Sequence, residues 1–223
     1  PLTKTSSRLQ DFLNTLDEVV DYSISQQADI VLFCGDAYKS RNPSQTHQRE
    51  FAARISRLAT NDIQVFLLAG NHDAPNIPGP ATALDIFPTL GVGNVHTGDT
   101  LKTHLVETRS GPLQIVSVPW IRKGQFMSSL GIGENDPSKL NESIETLLTQ
   151  AIQANAESLD PSIPAVLSVH LSVDSAKTSS EISMMLGKDY VLLKSSIALP
   201  QFDYVALGHI HRHKELNVSP RVV

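Results

Sequence analysis

A single cysteine among 223 residues excludes a disulfide framework. It leaves Cys34, set inside the run Ile30-Val31-Leu32-Phe33-Cys34, as a buried and inert thiol. No apolar run approaches the length of a membrane span, and the opening stretch Pro1 to Ser7 has no apolar core of a secretion signal. A cytoplasmic protein without membrane contact is therefore expected. Positive charge is also scarce, with 18 Lys and Arg against 23 Asp and Glu for a net charge of -5. That balance argues against a surface coated for nucleic acid, though a local basic cleft remains compatible with it. Neither a Gly-x-Gly-x-x-Gly nor a Walker-type loop occurs, Gly131-Ile132-Gly133 reading as a flexible stretch, and there is no Gly-x-Ser-x-Gly elbow.

With 40% hydrophobic and 18% charged residues, residues 1–223 fit one globular domain. Within it one pattern repeats four times: an apolar run that stops abruptly at a polar, metal-competent side chain. Ile30 to Cys34 ends in Gly35-Asp36. Val65 to Ala69 ends in Gly70-Asn71-His72-Asp73. Ala165 to Val169 ends at His170, and Tyr204 to Leu207 ends in Gly208-His209-Ile210-His211. Open α/β sheets bind ligands at the carboxyl ends of their strands, so four such endings point to one shared site.

The surrounding pattern is α/β. Leu9, Phe12, Leu13, Leu16, Val19, Val20 and Ile24 recur at helical spacing over Ser7 to Gln27, predicting an amphipathic helix with one core-facing stripe. Pro43 suits an early helix position, and Phe51, Ile55 and Leu58 continue a second stripe. Strand, helix and strand in succession imply parallel pairing. The proline-rich stretch from Ala74 to Pro80 reads as a loop and a wall of the site, followed by a short helix over Ala81 to Phe87. Gly91 to Leu101 reads as turns. Two antiparallel strands follow, Leu101 to Glu107 and Leu113 to Val118, joined near Ser110-Gly111 and closed by Pro119-Trp120. Asp136-Pro137 reads as a cap and first turn of a helix reaching about Ala156, and Ser172 to Lys188 as a long loop, with Met184-Met185 as core or loop anchors. The expected architecture is two packed mixed sheets flanked by helices, in four layers.

Asp36, Asn71, His170, His209 and His211 supply carboxylate, amide and imidazole donors suited to divalent first-row metals. Two ions about 3.5–4 Å apart can clamp a phosphodiester and stabilise its leaving oxygen. His72 is then available as a general acid held by Asp73, although Asp73 alone is equally compatible with a helix cap. His47, His96, His104 and His213 have no partner pattern and read as solvated surface.

With those motifs in hand, the chain resembles the calcineurin-type metallophosphoesterases through Gly35-Asp36, Gly70-Asn71-His72-Asp73, His170 and Gly208-His209-Ile210-His211. Asp29 to Gly35 with Pro43-Ser44, and Phe202 to His211, are similar to DNA repair exonucleases of the SbcD type. The resemblance implies that Asp36 bridges two metal ions, usually manganese. Asn71, His170 and His209 would hold one ion, His211 would belong to the other, and His72 would assist the leaving group. The family's remaining ligands come from an Asp-x-His motif ahead of the first helix. No such motif stands before Ser7, and the sequence stops at Val223 where the family continues, so both ends are expected to be incomplete.

A DNA nuclease working with an ATPase partner is the leading expectation. The alternatives are a phosphodiesterase or phosphatase for small esters and a scaffold relative lacking competent metals. Lys39, Arg41 and Arg212 follow the motifs and read either as substrate contacts or as ordinary loop residues. The resemblance also implies a homodimer through parts of Pro43 to Leu58 and Ala81 to Leu90, with Phe51 and Phe87 as either anchors or core.

Overall fold

The α1 helix, Ser7–Ser25, turns Leu13 and Val20 inward, with Leu16 and Ile24 packed beside them. It closes where Gln27 adopts a left-handed φ of 52° and the Ala28 N–H returns to the Ser23 carbonyl at 3.0 Å, a common helix stop. Phe12 and Tyr22 point outward, 66% and 67% exposed, as does Val19. The expected single stripe is thus narrower than its apolar residues suggest, and Phe12 and Val19 lie outside it.

These features come from a computed structural model that describes residues 7–74, 81–122, 137–174 and 190–223. The expected proline-rich wall beyond Ala74, the Asp136 cap, Gly131-Ile132-Gly133 and Met184-Met185 lie outside those residues. No described helix is long and apolar enough to cross a membrane.

Strand β1 (Ile30–Phe33) and strand β2 (Gln64–Leu68) flank helix α2 (Gln45–Ala59) in sequence and pair in parallel, Val31 opposite Val65. Helix α2 begins at Gln45, two residues after Pro43: Ser44 is the cap, its hydroxyl accepting from the His47 N–H at 3.3 Å. A third parallel strand, β3 (Val95–Gly98), pairs with β2 where the sequence predicts turns. Val95 is the one apolar residue in the strand, and alignment with Val65 rather than local propensity makes it extended. The short helix expected near Ala81 is a 3-10 turn at Ala83–Asp85 running into α3 (Ile86–Leu90).

The second sheet contains β4 (Lys102–Thr108), β5 (Gly111–Val118), β6 (Ala165–His170), β9 (Tyr204–Gly208), β10 (Asn217–Val218) and β11 (Arg221–Val222), in the order β10-β11-β9-β6-β5-β4. Its β4–β5 and β10–β11 pairs are antiparallel, whereas β5, β6, β9 and β11 run parallel. Helix α4 (Pro137–Glu157) covers one face of this sheet. The expected loop after His170 opens instead as a short strand, β7 (Ser172–Val173), paired with β8 (Val191–Leu192).

Strand alternation separates three cores. Val31, Phe33, Val65 and Leu67 face α1, α2 and α3. Ile30, Leu32, Phe66 and Leu68 meet Leu113 and Ile115 between the sheets. Val116, Val118, Leu167, Val169 and Val205 face α4 residues Ile144, Leu148 and Ile152. Four layers follow, helices, sheet, sheet and helix, as expected. A fully buried Leu, Ile or Phe contributes about 1.5–3 kcal/mol relative to exposure, so each face is a large share of the stability.

His96 and His104 are not solvated surface. His96 Nε2 lies 2.8 Å from Gln64 Oε1. His104 Nε2 lies 2.9 Å from Ser117 Oγ, and its ring stands edge-on to Phe66 at 4.9 Å. The Ser117 hydroxyl donates to the Thr100 carbonyl at 2.7 Å, so His104 Nε2 carries the proton and donates to Ser117. Burial first, then the charges of Lys102 and His96 against the opposing Asp99, push the His104 pKa down from 6.5 to about 4. The unfolded chain takes up that proton as pH falls below 6.5 while the folded chain does not, so His104 removes stability between pH 6.5 and about 4. With allowance for its partial exposure, the loss is about 1–2 kcal/mol. Thermal melts at pH 7 and 4.5 should show a smaller acid shift for His104→Gln, which retains an N–H donor; an unchanged shift would remove His104 as the cause.

Candidate metal centre

Strands β1, β2, β6 and β9 all end at one edge of the sandwich, and their terminal residues meet there. His170 sets the frame. Its Nδ1 stands 2.6 Å from the Cys34 carbonyl, an oxygen that can only accept, so Nδ1 holds a proton and Nε2 faces the site. Nε2 then lies 3.0 Å from Asn71 Oδ1 and 3.4 Å from Asp36 Oδ2. His209 Nδ1 lies 3.1 Å from the same amide oxygen. One ligand atom each from Asp36, His170 and His209 falls within 4.8 Å of the others.

This close convergence requires unusual backbone. Gly35 has φ 95° and Asp36 φ 55°, a left-handed pair that folds the carboxylate back across the strand ends; Asp tolerates that region better than most residues. A Cβ on Gly35 would overlap the His170 imidazole, and one on Gly208 would overlap the Cys34 carbonyl oxygen. His209 follows with φ 85°. Such backbone strain is maintained where the surrounding structure over-determines it, commonly at functional sites.

Burial works to raise the Asp36 pKa, but the His170 hydrogen bond and charge and the His72 amide, 2.8 Å from Asp36 Oδ1, together hold it below the ordinary carboxylate value. Asp36 is therefore ionised at neutral pH. With a proton on Nε2, His170 supplies that hydrogen bond and charge; without one, Nε2, the Asn71 amide oxygen and this carboxylate are all acceptors and repel one another until a cation lies between them. Two imidazoles, one amide oxygen and one carboxylate form a donor set suited to a divalent first-row ion. The fit is good for one such ion held by Asp36, Asn71, His170 and His209. When bound, it would polarise a phosphoryl oxygen as a Lewis acid.

His211 is not brought into this cluster. It is exposed and lines a separate groove with Arg212, His213, Leu171 and Val173. Lys39 and Arg41 instead border a shallow depression with His72, so the three cationic substrate candidates divide between two surfaces.

Asp73 does not hold His72. It is 1% exposed, and its carboxylate accepts from the backbone N–H groups of Gly70 at 3.0 Å, Tyr38 at 3.2 Å and Ala37 at 3.3 Å. It therefore joins the turn after β1 to the turn after β2. Burial raises its pKa, opposed by those amides and assisted by the charge of Asp36.

Two supports of the site escape the sequence reading. Trp120 packs against His209 at 5.1 Å and His170 at 6.4 Å, while its backbone N–H donates to the Ala69 carbonyl at 3.0 Å. The other is the Cys34 carbonyl, which orients His170. A tryptophan immediately beyond a predicted strand is a legible signal, whereas a backbone oxygen carries none. Cys34 is half-buried as a residue rather than fully buried, and burial pushes its thiol pKa up against the weaker influence of Ser168.

A family model described as Calcineurin-like phosphoesterase matches residues 6–213. The chain belongs to this family. Its similarity to curated relatives extends over most of its length. It is 26% identical to the SbcD component of the SbcCD nuclease of Rhodobacter capsulatus, covering 92% of this chain and 53% of that protein. It is 24% identical to the DNA double-strand break repair protein Mre11 of Thermoplasma acidophilum over 96% of this chain and 49% of that protein. The SbcD component of the Bacillus subtilis SbcCD nuclease is also 24% identical, with 92% of this chain and 52% of the relative covered. The chain thus spans about half the length of these relatives.

Proposed function

We propose that this protein is a metal-dependent phosphodiester hydrolase that cleaves DNA in a repair complex with an ATPase partner. The meeting of Asp36, Asn71, His170 and His209 at the ends of four strands carries the reading. The names of its relatives, nuclease and double-strand break repair protein, supply the substrate class. Asp36, Asn71, His170 and His209 would hold the first ion, which would polarise a phosphoryl oxygen of the scissile diester. His72, exposed and fixed through its own amide to Asp36, delivers a proton to the leaving oxygen. A second ion with His211 among its ligands belongs to the same proposal, as does manganese in preference to magnesium, because imidazole ligands suit it better.

Homodimer formation would use the outer faces of α2 and α3. Phe51 and Phe87 are core residues, 6% and 4% exposed, whereas Ile86 and Leu90 on α3 face outward.

The deciding experiment is cleavage of linear duplex DNA with manganese, with and without chelator. Activity should disappear with chelator and return better with manganese than with magnesium; activity indifferent to chelator would overturn the reading. His72→Ala should keep its metal by elemental analysis while turnover falls by about 10²–10⁴-fold. Loss of metal instead would make His72 a ligand.

A further inference from the structure

The indole of Trp120 forms a triangle with the two imidazoles of the candidate centre. Ring centroids lie 5.1 Å apart for Trp120 and His209, 6.4 Å for Trp120 and His170, and 5.2 Å for the two histidines. The indole is inclined by 38° to the His209 ring and stands edge-on to His170 at 77°. Its nitrogen only donates, so it cannot be a metal ligand. Its bearing on the site is through the ring planes of its neighbours.

Trp120 is itself fixed at several points. Its backbone N–H donates to the Ala69 carbonyl at 3.0 Å, two residues before Asn71. The next residue, Ile121, is clamped by the Tyr190 hydroxyl, which accepts from the Ile121 N–H at 2.9 Å and donates to the Ile121 carbonyl at 3.0 Å. Tyr190 is 1% exposed, and its ring meets the indole at 5.5 Å. One residue at the end of β5 thus touches the turn of Asn71 through its backbone and both imidazoles through its side chain, which brings the ligands of the two sheets into register.

The two histidines differ in how much they need such a wall. His170 is oriented through the nitrogen that faces away from the site, by the Cys34 carbonyl at 2.6 Å. His209 presents Nδ1 to the site, and the contact of that nitrogen with Asn71 Oδ1 at 3.1 Å is given up when an ion takes its place. Rotation about the bond to an aromatic ring has a broad minimum, and the His209 backbone holds a φ of 85°. The plane of this ring therefore needs a contact that persists with the ion in place, and the tilted indole supplies it.

We propose that Trp120 is a positioning residue that sets the plane of the His209 imidazole, in the empty site and in the filled one. This rests on the metal-centre reading above and adds to it a side chain that touches neither ion nor substrate. A ligand held in its binding orientation beforehand loses less freedom on coordination.

The test begins in chelator, with proton–carbon correlation spectra of the histidine rings, the His209 signals being identified by their loss in His209→Gln. In the parent protein the indole protons should show nuclear Overhauser contacts to the His209 ring; their absence would overturn the proposal without any substitution. Trp120→Leu should move or split the His209 signals and leave those of His96 and His104 in place. Movement of all three would mean general loosening and would equally overturn it. Calorimetric titration with manganese reads the consequence: Trp120→Leu should bind about 10–100-fold more weakly, and Trp120→Phe, which keeps a ring beside His209, should recover most of that loss. Equal losses in both variants, or none in either, would remove the role of the ring. A parent protein that takes up no manganese would remove the metal-centre reading alone, because the ring spectra still decide whether Trp120 holds His209.

Discussion

Asp36→Asn should strip the protein of bound cation. Removing a group that merely orients a ligand already weakens metal binding by about 10–100-fold, so losing the charged ligand itself should exceed about 100-fold, with turnover falling alongside. Asp36 is the anionic member of the four converging donors, and its depressed pKa keeps it charged at neutral pH. The amide retains the shape, and its oxygen can still accept from the His72 N–H, so folding should survive. Elemental analysis after gel filtration measures the effect. Full occupancy in the variant would show that Asp36 is not a ligand.

Asp73→Ala should act on stability. Three backbone N–H groups end on its carboxylate, and the side chain is almost wholly buried. A buried donor left unsatisfied costs about 1–3 kcal/mol. Some water will enter the space, so a total near ~3 kcal/mol is expected for the three. Asp73→Asn keeps one acceptor oxygen and should fall between Ala and the parent. Urea unfolding midpoints at constant slope would report this directly. A variant with parental stability but little turnover would restore the expectation that Asp73 serves His72.

The four site-bearing strand ends are readable without coordinates because each combines an apolar run with an abrupt polar stop, two local properties. The layered arrangement is readable for a similar reason: strand composition and helix spacing indicate which elements have two buried faces. The misses arise where non-local partners decide. Residue type alone assigns His96 and His104 to solvent, yet their partners, Gln64 and Ser117, lie 32 and 13 positions away. Strand β3 contains one apolar residue and becomes extended only through β2. Adjacency in sequence places Asp73 beside His72, whereas the amides that hold its carboxylate include those of Ala37 and Tyr38 in the preceding turn. On α1, a broad arc of apolar residues gives no means of telling which of them face outward.

Asp36 and Asn71 descend from the three-stranded sheet, and His170 and His209 from the six-stranded one. The seam between the halves of the sandwich therefore runs through the ligand set, and the halves cannot separate without dismantling it. With an ion bound there, occupancy and mechanical integrity would become one equilibrium: at a free ion concentration about 100 times Kd, the closed sandwich would gain about 2.7 kcal/mol over any state in which the halves have come apart. The ion would serve as a rivet as well as a reagent, and depletion of the metal would loosen the molecule at the strand ends where the four side chains meet.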